Sequence, residues 1–514
     1  MTQRLRALYH LFVLTSLLSC ATVNFDEPKP TTLSFQNTQE TYLGQLTTDA
    51  LLEKEPGISG FIPIQDGIEA LSARLLMAER AERSIDAQYY LIKRGIVGYA
   101  FLDALLKAAD RGVRVRLLLD DMFTSGYDAG LAGLNSHPNF EIRIFNPFAN
   151  RSARFIDGIT SFSRVNRRMH NKSFTVDNQI TIVGGRNIAD EYFGASEDSK
   201  FGDLDVLGIG PVVNDVSDVF DSYWNHQRAA PVSAFANMPA DPGAELARVR
   251  KEIEESRQQI VNTDYMPAVR DVVLEYVESD TSDFIWAPYI LTADSPDKSF
   301  RSETETSMSV TTELRKSLLS AETEIIVLSP YFVPLRSVID EFIKLQARGV
   351  QIKIVTNSLA ANNQIAVHSG YAPARKPLLR SGIEIYEARA DADVPGADII
   401  TASGAKATLH TKVYIVDRKE IFIGSFNLDP RSIAINTEMG VIIKSPELAE
   451  QMATVYETAL PTKAYQVFLN ENGRLRWQGL ESGQNVIYTK EPQTSWSLRL
   501  KARLFRLLPI RGQL

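Results

Sequence analysis

The strongest constraint on this chain is a phrase it writes twice. H-N-K-S-F-T-V-D runs from His170 to Asp177, and H-T-K-V-Y-I-V-D from His410 to Asp417. In each copy a Lys stands two residues after the His and an Asp seven after it. An Asn follows the His by seventeen: Asn187 in G-G-R-N and Asn427 in G-S-F-N. The surroundings repeat too. S-I-D-A-Q-Y-Y-L-I (84–92) matches E-I-I-V-L-S-P-Y-F (324–332). A helical stretch ending at Arg111-Gly112 before V-R-V-R-L-L-L-D matches one ending at Arg348-Gly349 before V-Q-I-K-I-V-T-N. The offset is 237 residues at the glycines and 240 at the histidines. A near-constant offset over about a hundred residues means duplicated domains. Strand-like runs alternate with helical periodicity, as over Gly67–Arg80 and Gly95–Asp110, which predicts an α/β layer on a parallel or mixed sheet.

Composition sets the outer limits. With 44% hydrophobic and 23% charged residues the chain is of ordinary globular type. Its formal charge of −8 becomes −10 once Arg4 and Arg6 go with the first nineteen residues. Such a balance gives no general attraction to nucleic acid, and none is expected as a partner. The sole cysteine, Cys20, excludes an intramolecular disulfide. It follows a positive start, an apolar run too short to span a bilayer (Ala7–Leu18), and L-L-S-C. This pattern resembles the bacterial lipoprotein box, so Cys20 is expected to be acylated and to anchor the chain to the cell-envelope membrane, facing the periplasm. Ala21 after the Cys, in place of Asp, favours outer-membrane sorting by analogy. A free Cys after an ordinary signal peptide is the alternative.

The expected division is a signal peptide at 1–19, a polar, proline-containing tether at 20–59, and domains at 60–230 and 285–460. Between them lies a charged, solvated linker helix within 231–284, and after them a basic amphipathic tail at 461–514. In S-W-S-L-R-L-K-A-R-L-F-R-L-L (495–508) the mixture suits an interfacial helix on an anionic membrane. It suits a helix docked on the protein's own core equally well.

In a strand, residues i and i+2 share a face. His170 therefore points with Lys172, and His410 with Lys412. An imidazole can be nucleophile or general acid, a Lys can hold phosphate oxygens by charge, and an Asn amide can donate to the same oxygens. Were the domains to face each other, two His, two Lys and two Asn would meet, which suits a two-step displacement at a phosphodiester. The glycines before the Asn (Gly184, Gly185, Gly424) would let backbone approach the phosphate. A metal site is disfavoured, because a cationic Lys stands where a further ligand would be needed.

The doubled H-x-K-x4-D with G-G/S-x-N closely resembles the phospholipase D superfamily over most of the chain. The resemblance implies two duplicated phospholipase D-like α/β sandwich domains packed face to face around one active site. It also implies a metal-independent reaction without cofactors, through a phosphohistidine. His170, Lys172, Asp177, His410, Lys412 and Asp417 form its catalytic signature. His170 is the expected nucleophile and His410 the acid/base. Asp177 and Asp417, at strand ends, have a structural hydrogen-bonding role. Family members carry an acidic residue after each Asn that orients the opposite histidine; Glu438 fits in the second half, and Asp203, or else Asp205, in the first. Within the superfamily, N-R-R-M-H-N-K-S-F-T-V-D, V-G-G-R-N-I-A-D-E-Y-F, S-P-Y-F-V-P and G-S-F-N-L-D-P-R-S resemble bacterial cardiolipin synthases of the C type. That implies transfer of a phosphatidyl group from phosphatidylethanolamine or phosphatidylglycerol to phosphatidylglycerol at a membrane surface. A phospholipase D that hydrolyses its lipid, a nuclease, and a lipid-anchored scaffold without activity remain alternatives. Arg151, Arg154, Arg164, Arg167 and Arg168 either receive anionic head groups or are solvated surface residues. His368 is a head-group contact or a structural histidine, and His137 and His226 are expected to be structural.

Overall fold

The computed structural model describes residues 23–235, 238–260, 265, 267–269, 283–300, 309–394 and 405–514. The expected signal peptide and Cys20 lie outside the described residues. The first half holds strands β1 (Ile58–Ile64), β2 (Ser84–Tyr89), β3 (Arg114–Asp120), β4 (Phe140–Phe145), β5 (Ser173–Val176), β6 (Ile180–Gly184), β7 (Ser199–Gly202), β8 (Asp205–Ile209) and β9 (Ala229–Pro231). All but β7 pair in the order β9-β4-β3-β2-β5-β6-β8-β1, parallel only within β4-β3-β2.

The second half writes the same order. It comprises β10 (Ile285–Ala293), β11 (Glu324–Leu328), β12 (Gln351–Asn357), β13 (Glu384–Ala388), β14 (Lys406–Leu409), β15 (Val413–Val416), β16 (Glu420–Gly424), β17 (Met439–Ile443) and β18 (Ala464–Leu469). These pair as β18-β13-β12-β11-β15-β16-β17-β10, again parallel only across the three strands β13-β12-β11. The hairpin β19 (Leu475–Glu481) and β20 (Gln484–Tyr488) extends the sheet beyond β18. Strand β1 pairs antiparallel with β10, Ile58 opposite Pro288, which joins the two sheets. A separate parallel pair, β7 with β14, ties the halves a second time.

Strand β15 is V-Y-I-V because it is buried on both sides. Tyr414 and Val416 pack on the helices of their own half, while Val413 and Ile415 enter a core between the halves. That shared core also takes Ile421 and Ile423 of β16 and Val183, Leu204 and Val206 of the first half. Side chains alternate across a strand, so a strand with two buried faces reads as continuously apolar. The two α/β units thus pack sheet face to sheet face. Both phrases turn on a tight hairpin with two consecutive positive φ values, Asp177 and Asn178 in one, Asp417 and Arg418 in the other.

Two expectations need correcting. The stretch before residue 60 is no free tether from Lys29 onward. The Ser34 amide donates to Asp221 (2.7 Å), buried Arg143 reaches the Pro30 carbonyl (2.6 Å), and Trp224 Nε1 donates to Thr32 (2.9 Å). A helix, Tyr42–Leu51, follows, capped by Thr41. Low apolar content misled here, because polar bonds to buried arginines hold this strap. The charged helix Pro242–Ile260 is not wholly solvated either. It buries Val249 and Ile253 against the first half and turns its ion-paired face outward. Among the described residues no helix is long and apolar enough to cross a membrane.

Arg116 is the hub under the strap. It pairs with buried Asp86 (2.6 Å) and Asp221 (2.8 Å) and donates to the Thr32 carbonyl (2.9 Å). Removing one partner of a buried ionic cluster leaves uncompensated charge, which costs about 3–5 kcal/mol. Arg116→Ala is expected to lower stability by about that much, measured as an earlier urea midpoint for the first half.

Candidate active site

Each histidine is positioned twice, once by its own half and once by the other. Asp120, the last residue of β3, accepts from the Met169 amide (2.9 Å) just before His170. Asn357, the last residue of β12, exchanges two hydrogen bonds with Leu409 just before His410 (2.8 and 2.9 Å). The other half completes the placement. The His170 amide donates to the Thr437 carbonyl (2.9 Å), and the His410 amide to the Gly202 carbonyl (2.7 Å). The residues following these carbonyls are Glu438 and Asp203. Glu438 Oε2 lies 2.8 Å from His170 Nδ1, and Asp203 Oδ2 lies 2.5 Å from His410 Nδ1. Each imidazole is thus oriented by a buried carboxylate from the opposite half, which leaves Nε2 for chemistry.

The choice between Asp203 and Asp205 is settled by register. The Gly185 amide bonds the Leu204 carbonyl, and the Ser425 amide bonds the Met439 carbonyl, so Asp203 and Glu438 are equivalent. Asp205 is engaged elsewhere, in a buried pair with Arg74 (2.8 Å) and with Arg186 (3.4 Å). The motif glycines serve this packing rather than an approaching phosphate. A Cβ on Gly185 would sit 2.3 Å from the Asp203 carboxylate, on Gly184 2.0 Å from that of Asp205, and on Gly424 2.4 Å from the Met439 carbonyl.

The lysines complete one electrostatic site. Lys172 Nζ donates to the His170 carbonyl (2.5 Å), and Lys412 Nζ lies 2.7 Å from His410 Nδ1. Burial holds His170 down at about 4, and both lysines add to the depression against the pull of Glu438. Burial likewise holds His410 at about 3, with Lys412 and then Lys172 deepening it. Burial drops Lys172 to about 7 and Lys412 to about 8; Lys412 pushes Lys172 down further, while Asp203 and Glu438 pull both upward. Burial would raise the two carboxyls, but the facing imidazoles and lysines outweigh it and keep both below their usual range. At neutral pH these shifts leave the imidazoles neutral and the two crowded lysines only partly protonated, a balance that a bound anion shifts back toward the charged ammonium forms. Asn187 and Asn427 each leave a buried amide oxygen without a partner among the described residues.

Aromatic walls close the site. Tyr90 meets His170 edge-on at 5.0 Å, and Tyr192 meets His410 at 4.9 Å with its hydroxyl 3.4 Å from Nε2. Phe201 stacks on His410. Sequence reasoning passed over these rings and over Asp120, Asn357, Ser425 and Ser432. Ser425 and Ser432 both donate to the Glu438 carboxylate. A usable signal existed for one pair: Asp120 and Asn357 are 237 residues apart, the offset of the two cap glycines.

Several candidates lie elsewhere. Asp177 and Asp417, grouped with the catalytic set by their motif, stand at the far ends of β5 and β15, about 20 Å of extended chain from the histidines. Asp177 caps the amides of Glu82, Arg83 and Ser84, and Asp417 those of Glu322, Thr323 and Glu324. The arginine cluster is partly or wholly buried and engaged by the protein's own groups. Arg151 and Arg154 pair with Asp121, Arg168 with Asp120, Arg164 reaches the Pro147 carbonyl, and Arg167 those of Lys298 and Ala434. His368 is buried with Arg375 and Glu491, His137 pairs with Asp110, and His226 with Asp297.

Comparison with known proteins points to one family. The family model described as "Cardiolipin synthase, PLD-like domain" matches residues 75–224 and 314–460, together more than half of the chain. Cardiolipin synthase C of Escherichia coli is 40% identical over 462 residues, covering 90% of this chain and 97% of that protein. An uncharacterized protein of Helicobacter pylori is 31% identical over 484 residues, covering 92% of each. Among solved structures, phosphatidylserine synthase of Haemophilus influenzae superposes with a TM-score of 0.56 at 13% identity, over 91% of this chain and 100% of that one.

Glu438→Gln keeps the shape but removes the charge that fixes the His170 tautomer. By analogy with the carboxylate of a hydrolase triad, kcat is expected to fall by roughly 10²–10⁴-fold, with unfolding little changed. Diethyl phosphate, a monoanion throughout, is expected to inhibit competitively below pH 7. Its Ki should rise at least about tenfold by pH 9, as Lys172 (about 7) and then Lys412 (about 8) lose their charge.

Proposed function

The chain belongs to the cardiolipin synthase family of phospholipase D-like proteins, and from that premise we propose how its residues carry out phosphatidyl transfer. Nε2 of His170 attacks the phosphorus of a donor phospholipid, and the bond from phosphorus to the head-group oxygen breaks. His410, charged as imidazolium once the phosphodiester anion is bound, gives its Nε2 proton to the leaving oxygen. The phosphatidyl group now rests on His170. A glycerol hydroxyl of phosphatidylglycerol then loses its proton to His410 and attacks phosphorus. The P–N bond breaks, and cardiolipin leaves. Lys172 and Lys412 hold the phosphoryl oxygens, with the amides of Asn187 and Asn427 beside them. Glu438 and Asp203 stabilise each imidazolium as it forms.

The observation that carries this reading is the pair of imidazoles held at Nδ1 by carboxylates 2.8 and 2.5 Å away. Two such groups, one nucleophile and one acid/base, are what a double displacement needs. Tyr192 near Nε2 of His410 supports giving attack to His170, whose Nε2 meets no protein partner among the described residues. The donor is phosphatidylethanolamine or a second phosphatidylglycerol, and the acceptor phosphatidylglycerol, as the likeness to cardiolipin synthase C supports. The lipobox at Cys20 supports anchoring in the cell envelope with the site facing the periplasm.

Thin-layer analysis of products from acyl-labelled phosphatidylglycerol and phosphatidylethanolamine tests the proposal. Cardiolipin is the expected main product, at an undiminished rate in EDTA, because Lys172 and Lys412 carry the phosphate charge. His410→Asn should slow its formation by about 10²–10⁴-fold. Phosphatidic acid as the dominant product would make the enzyme a hydrolase.

A further inference from the structure

The helix Trp496–Phe505 carries two apolar stripes. One, centred on buried Ala502 with half-buried Leu498 and Phe505, packs on the helix Ile365–Tyr371, where Ser369 donates to the Ala502 carbonyl (2.8 Å). The other points away from the protein. Trp496, Leu500 and Leu504 recur at helical spacing, Leu507 stands in the turn after the helix, and the four are 72%, 44%, 55% and 79% exposed. Lys501, Arg503 and Arg506 flank that outer stripe, exposed and in no ion pair among the described residues. No acidic residue follows Glu491.

The first half presents a matching patch. Phe155, Ile159 and Phe162, on the short helices Arg154–Thr160 and Phe162–Val165, are 71%, 78% and 51% exposed. The chain's end brings the two patches near one another. Gln513 accepts from Asn166 Nδ2 (2.6 Å), and the Leu514 carbonyl accepts from the amide of Arg431. Arg431, four residues past Asn427, also donates to the Asn166 carbonyl (2.6 Å). Phe162 lies one helical turn from Asn166, about 6 Å, and Leu508 is at most about 18 Å of chain from Gln513. A short chain of contacts links the first half's patch to the site. Arg154 donates to the Met122 carbonyl (3.2 Å), and the adjacent ring, Phe123, meets Tyr90 at 5.4 Å, which in turn meets His170.

We propose that these two patches, one from each half, form a single docking face that seats the active-site mouth on an anionic phospholipid bilayer. The face rests on the transferase reading for its purpose, but its composition argues for the occupant independently. Outward apolar side chains in both patches, unpaired Lys501, Arg503 and Arg506 beside one of them, and the only acid of the short helices, Asp157, turned inward and buried, fit the acyl boundary and anionic head groups of a lipid surface. A lipid then enters the site without leaving the bilayer.

The test uses the full chain with Cys20→Ser, so that no acyl anchor contributes. Its partition onto vesicles of phosphatidylglycerol and phosphatidylcholine is measured by flotation, beside Leu500→Asn/Leu504→Asn and Phe155→Ser/Ile159→Ser. Each double variant should bind at least about tenfold more weakly and lose vesicle activity in proportion, while Leu500→Ile/Leu504→Ile keeps both. Activity on soluble dihexanoyl phosphatidylglycerol should stay within about twofold in every variant, which also shows that each is folded. Unchanged vesicle binding in the double variants overturns the docking face, as does a change from dimer to monomer in sedimentation with vesicle binding intact. A wild type inactive on the soluble lipid, with binding that still follows the face, refutes the transferase reading and leaves the face standing.

Discussion

Everything at the site depends on a reciprocal brace. The first half's histidine takes its orientation from Thr437 and Glu438, and the second half's from Gly202 and Asp203. Neither half holds a competent imidazole alone. The joined sheets, the shared apolar core and the β7–β14 pair fix the separation of the halves, and that separation must hold to within a hydrogen-bond length. A shift of an ångström along the interface would break both carboxylate contacts together, because each accompanies a backbone bond from its own strand end.

The same burial sets the chemistry. Imidazoles sealed among Tyr90, Tyr192 and Phe201 stay neutral, and the two ammonium groups are crowded enough to lose protons near neutrality. In the proposed reaction the phosphodiester brings negative charge that favours the charged forms of the lysines and of one imidazole. Binding of the anion and readiness for proton transfer are therefore one electrostatic event.

Much of this was legible in the residues. The doubled phrase, the constant offset and the alternation of strand and helix led to two α/β units, because strands with two buried faces write themselves as unbroken apolar runs. What lay hidden was long-range and polar. Nothing local distinguishes Asp203 from Asp205; the difference lies in which strand register meets His410 and which meets Arg74. The strap before residue 60 looked like a tether, because Arg116, Arg143 and Asp221, which hold it, are distant in sequence. Arg151, Arg154 and Arg168 looked available, because Asp120 and Asp121, which pair with them, lie some thirty to fifty residues earlier.

The cross-half brace also governs when the protein can act. Glu438 is made well after His170, so a growing chain carries that imidazole for 268 residues before the carboxylate that aims it exists. Until then the first half lacks the contact that orients its imidazole. Order along the chain thereby acts as a safety catch, released only when the last strands of the second sheet have paired.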